Sequence, residues 1–250
     1  IMKKFFMFLA VIGFVALAAN DLVAQTNDAA AQELLAGAAS EAPVYQQIKA
    51  KFIDGGVGFM AAVLLCLILG LAVAIERIIY LSLSTTNTSK LIAKVEDALN
   101  NGGVEAALEV CRNTRGPVAS IFYQGLSRMD QGLEAVEKSV VSYGGVQAAQ
   151  LETGLTWLSL FIAMSPNLGF LGTVIGMIGA FDAIQAAGDI SPIVVASGIK
   201  VALITTVAGL IVALILQVFF NYITSKVESL VITMEDASVS LIDILIKAKK

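Results

Sequence analysis

The 29 residues 153–181 carry no charged side chain, and neither do the 25 residues 201–225. A helical crossing of a bilayer needs about 20 apolar residues, so each run is long enough to span one. Hydrocarbon offers the backbone no partner, and a lone run of this kind satisfies its own N–H and C=O groups as an α-helix. A third run, the 21 uncharged residues 55–75 between Asp54 and Glu76, allows one more crossing. The composition agrees, with 57% hydrophobic and 14% charged residues and a mean hydropathy of +0.83. The expected fold is all-α: a polytopic membrane protein whose three long transmembrane helices extend into a helical cytoplasmic domain, preceded by an N-terminal signal peptide.

A short polar tip at Gly188-Asp189-Ile190-Ser191-Pro192 separates the second and third segments. Thr173 lies about 15 residues before it and Thr206 about 14 after it, on the order of 21 Å deep at the helical rise. An antiparallel pair therefore brings two hydroxyls to similar depth inside the hydrocarbon. Small residues surround them. Gly169, Gly172, Gly176 and Ala180 step along one helix, and Gly198, Ala202, Gly209 and Ala213 along the other. Such spacing lets helix backbones approach closely in lipid. Two readings are open at this point: a packing seam that happens to contain threonines, or a polar path that uses them. Pro166 removes a backbone donor and is expected to kink or loosen its helix.

Ser165-Pro166-Asn167-Leu168-Gly169-Phe170-Leu171-Gly172-Thr173-Val174-Ile175-Gly176-Met177, followed by Leu203-Ile204-Thr205-Thr206-Val207-Ala208-Gly209-Leu210, resembles the paired signature of the ExbB/TolQ/MotA proton-channel family. The likeness is nearest to ExbB and covers the chain from about residue 55 onward, because the order of segments also fits.

That order divides the chain as follows. Lys3-Lys4 and the apolar run Phe5–Ala19 read as a signal peptide over 1–24, with an uncleaved anchor helix as the alternative. Residues 25–54 form a periplasmic segment with an interfacial helix near Tyr45–Phe52. Residues 55–80 form the first crossing, closed by Glu76-Arg77 and Tyr80 at the interface. Residues 81–150 are helical and soluble in character, with Ser89 as a helix cap, a break at Asn101-Gly102-Gly103, a helix from Val118 to Met129 and another from Leu133 that is able to run on into the membrane. The second crossing is 151–187, the periplasmic turn 188–192, the third crossing 193–225, and a cytoplasmic helix 226–250 ends the chain. The lysines at 90, 94, 226, 247, 249 and 250 fall on the proposed inside, against Lys49 and Lys51 outside. The expected location is a bacterial inner membrane, with the mature N-terminus periplasmic and the C-terminus cytoplasmic.

The formal net charge of −4 gives no basic field for nucleic acid. Histidine is absent and the two cysteines lie far apart, so neither a metal site nor a disulfide framework is expected. No nucleophile elbow or phosphate loop occurs, and no catalytic residues or cofactor are expected.

The threonines lack an acid of their own. Threonine does not titrate near neutrality; it only donates and accepts hydrogen bonds. A proton relay in a membrane normally uses Asp or Glu. An ion path here therefore takes its carboxylate from another chain. The resemblance implies that chain: a homopentamer surrounding a dimer of a single-span partner similar to ExbD or TolR, whose helix carries an aspartate. On that carry-over Thr173 and Thr206 line the path, Thr205 contributes more weakly, and a TonB-like effector receives the motion. Several relatives have glutamate where this chain has Val201 and alanine where it has Lys200, so an element using that glutamate is missing. The transported ion is expected to be the proton, with sodium as the alternative. Asp182 and Lys200 lie about six residues before and eight after the tip, and either pair in a vestibule or let Lys200 snorkel outward. The contrasting function is a non-conducting scaffold for an envelope or secretion complex.

Overall fold

The computed structural model describes residues 44–188 and 192–248. The expected signal peptide and most of the turn at 188–192 lie outside the described residues. The chain divides into two compact units between Val57 and Gly58. In the first, the described element is helix α1 (Val44–Asp54). The second holds α2 (Val57–Ser84), α3 (Thr88–Arg112), α4 (Pro117–Leu126), a 3₁₀ turn (Met129–Gln131), α5 (Leu133–Glu152), α6 (Leu155–Ala187) and α7 (Pro192–Ala248). Among the described residues all regular structure is helical, and three helices are long and apolar enough to cross a membrane. The chain is an all-α, multi-pass membrane protein.

Local chemistry sets the breaks. Asn87, not Ser89, caps α3: its Oδ1 accepts the Lys90 N–H at 3.2 Å from an extended backbone. That geometry places the side chain over the first free amides, which Ser89, already inside the helix, cannot reach. Within α3 the expected break falls at Gly103, which adopts φ 74° and ψ −167° while helix continues on both sides. Helix α4 starts at Pro117 and ends three residues earlier than the Val118–Met129 expectation, the chain tightening into the 3₁₀ turn.

Helix α5 does not run on into the membrane segment. Thr153 is extended and Gly154 takes φ +87°, a left-handed conformation that glycine adopts without strain. The buried Arg77 of α2 fills this break. Its guanidinium donates to the Gln150 and Leu151 carbonyls, the former at 3.2 Å, and stacks 4.8 Å from the Tyr80 ring centroid. A cation at a helix C-terminus meets the negative end of the helix dipole. Arg77 is thus not an interface marker but a buried clasp between α2 and the α5–α6 joint.

Helix α7 is one element of 57 residues, where the sequence suggested a crossing and a separate cytoplasmic helix. It continues past Lys226 because Val227, Leu230, Met234, Ala237, Leu241 and Leu245 keep one buried stripe. That stripe joins Phe122, Leu126, Val136 and Val140 of α4 and α5 in a core of large apolar side chains.

Candidate functional site between α6 and α7

The antiparallel pair α6–α7 is held by backbone proximity. A Cβ on Gly169 would lie 2.9 Å from the Thr205 carbonyl oxygen, and one on Gly209 would lie 2.5 Å from that of Ser165. Gly176 faces Ala202, and Gly198 faces Ala180. Gly172 receives the Thr205 side chain, with its Oγ1 2.8 Å from where a Cβ would stand. Ala213 is buried on the same helix. The small residues thus meet across one seam, which also closes over the buried Ser165. Helix α6 is continuous through Pro166, and Ser165 Oγ donates to the Phe161 carbonyl at 2.7 Å.

The seam brings Thr173 and Thr206 together. Their hydroxyls are in direct hydrogen-bond contact. Thr173 Oγ1 lies 3.0 Å from the Ala202 carbonyl and 3.2 Å from that of Gly169. Thr206 Oγ1 lies 3.4 Å from each of the same two carbonyls. Thr205 Oγ1 donates to the same Ala202 carbonyl at 2.8 Å, so three hydroxyls surround the two carbonyl oxygens. Each hydroxyl also offers lone pairs. The cluster has more acceptors than donors, so it favours an incoming donor, such as a protonated carboxylic acid or a hydronium ion. Thr173 and Thr206 are half-buried, which leaves an edge of the cluster open at the surface of this chain.

Thr205 plays a different part. It is 1% exposed, donates to the Ala202 carbonyl at 2.8 Å and packs against Gly172. Neighbouring helical residues point about 100° apart, so Thr205 meets the Ala202 carbonyl from the Gly172 side and only Thr206 contacts Thr173. Asp182 and Lys200 both sit exposed toward the α6–α7 connection, away from the threonines. No acid occurs in 153–181 or 190–227, so the nearest carboxylate along α6, Asp182, is about 13 Å from Thr173 by helical rise.

Residues 113–236 match the MotA/TolQ/ExbB proton channel family. The chain is 35% identical over 162 residues to a putative biopolymer transport protein ExbB homolog of Methanothermobacter thermautotrophicus, covering 64% of this chain and 57% of that one. It is 31% identical over 179 residues to a putative biopolymer transport protein ExbB-like 1 of Synechocystis, covering 70% of each. It is 47% identical over 68 residues to the biopolymer transport protein exbB1 of Vibrio cholerae, covering 27% of this chain and 30% of that one. The match thus spans little more than half of the first of these relatives and under a third of the last. The paired threonines lie inside the matched region, on the two helices whose backbones approach most closely, and the chain belongs to the MotA/TolQ/ExbB proton channel family.

Proposed function

We propose that this protein is the ring-forming subunit of an ion-driven motor in a bacterial inner membrane. One observation carries the reading: an acceptor-rich cluster of three hydroxyls and two carbonyls, at mid-span, with no acid of its own. The acid comes from a single-span partner resembling ExbD or TolR, whose membrane aspartate docks at Thr173 and Thr206. Neutral, the aspartic acid donates into the cluster; ionised, it loses that fit and is costly in hydrocarbon. Ion passage therefore alternates its affinity from subunit to subunit and drives relative rotation. A TonB-like effector, or a related envelope process, receives the motion.

The family resemblance favours assembly into a homo-oligomer, a pentamer. Burial of Thr205 in the seam leaves two hydroxyls rather than three for the ion, which favours the proton over sodium, a hard cation that prefers more oxygen ligands.

Thr206→Val tests the reading, because it removes the hydroxyl at nearly constant volume. Assembly is expected to persist while proton uptake into partner-containing vesicles falls about 100-fold, in line with the loss of a few kcal/mol at a polar site. Undiminished uptake would return the chain to the scaffold alternative.

A further inference from the structure

Below the threonine cluster the face of α7 is not simply apolar. Gln217 and Asn221 are both exposed, and Gln217 Nε2 donates to Asn221 Oδ1 at 3.3 Å. Two amide side chains hold four N–H donors and two carbonyl oxygens. Their mutual bond uses one of each, and the remainder point outward.

These groups share a face with the ion site. Gln217 lies eleven residues beyond Thr206, three turns on and about 20° around the helix. Asn221 is about 60° around. Lys226 is the next charged residue, so Gln217 sits about 13 Å inside it along the axis. Between the two polar stations the helix carries the exposed Leu210 and Ala213, which is buried in the α6–α7 seam. Amides presented to hydrocarbon cost several kcal/mol each. This face therefore does not meet lipid.

We propose that Gln217 and Asn221 line a hydrated inner leg of the ion path, a file of water that carries a proton or a hydrated alkali cation between the threonine pair and the Lys226 end. Leu210 and the buried Ala213 separate this leg from the cluster by about 16 Å of helix, and ions cross that stretch only where the partner chain supplies the polar groups. The inference rests on the motor reading above.

The test is cysteine accessibility in the full chain, assembled with its partner in native membrane vesicles, with Cys66 and Cys111 replaced by alanine. The probe is a permanently cationic, water-borne methanethiosulfonate reagent. A thiol reacts as thiolate, which an apolar setting suppresses. Gln217→Cys and Asn221→Cys are expected to react at least about tenfold faster than Ile215→Cys, an exposed position about 200° around the same helix. Gln217→Leu is expected to lower proton flux about tenfold without altering assembly. Equal, slow labelling at 215, 217 and 221 would overturn the inference, with the amides then covered by a neighbouring helix. If labelling is equal and slow while Thr206→Val still abolishes flux, the motor stands and the hydrated leg falls. Fast labelling at 217 with flux indifferent to Thr206→Val keeps the wet face and removes the motor.

Discussion

Helix α7 is packed in two ways along its length. In its first half Gly198, Ala202 and Gly209 meet Ala180, Gly176 and the Ser165 carbonyl, and backbones nearly touch. In its second half Leu230, Met234, Leu241 and Leu245 meet Phe122, Leu126, Val136 and Val140. The contrast follows from the solvent. In water, burying apolar area stabilises by about 25 cal/mol per Å², so large side chains are favoured. In lipid no such gain separates helix from surroundings, and association depends on close fit and on polar contacts between helices. One region is sensitive to atoms removed, the other to atoms added.

The largest expected effect is in the region of large side chains. Phe122 is fully buried, and Phe122→Ala should destabilise the purified chain by about 3–5 kcal/mol. Denaturant unfolding in detergent micelles measures it, and a loss under 1 kcal/mol would mean that this core is not tightly packed. Next comes the seam. Gly209→Ala places a carbon 2.5 Å from a backbone oxygen that cannot swing away, and should cost about 1–3 kcal/mol together with looser α6–α7 pairing. Gly179→Ala in the same α6 meets nothing within 4 Å and should be neutral or stabilising by about 0.5–1 kcal/mol. If the two glycines respond alike, the seam is not a close-approach surface.

The smallest effect is a pH dependence that arises at Cys111, near the end of α3. Burial raises the Cys111 thiol from 9.0 to about 11. The folded chain holds this proton more firmly than the unfolded chain does. Its contribution is therefore complete below pH 9.0 and is lost as pH rises toward about 11. Cys111→Ala should remove that component of the alkaline slope in unfolding experiments, while Cys66→Ala should leave it in place.

Much of the membrane architecture was legible, because long uncharged runs admit few alternatives. Counting residues to the tip put the two threonines level with each other, and the structure does bring Thr173 and Thr206 into contact. The division of labour between Thr205 and Thr206 was not legible, since it depends on which side of α7 meets Gly172. Arg77 was missed for a similar reason. Glu76-Arg77 after an apolar run reads as an interfacial pair, and only the break at Thr153-Gly154 makes the arginine an internal partner. The unity of α7 escaped because Lys226 looks like an exit from lipid, while the stripe that carries the helix onward is completed by α4 and α5. Gln217 and Asn221 were individually ordinary letters, and their alignment with Thr206 matters only once the helix is known to be unbroken.

That continuity has a mechanical consequence. From Thr206 to Ala248 the rod runs 42 residues, about 63 Å of uninterrupted helix. A tilt of about 5° at the threonine level sweeps its far end through roughly 5 Å, the pitch of a helical turn. On the motor reading, a small rearrangement at the threonines would thereby be magnified into a displacement at the far end of the helix, with no hinge between to absorb it.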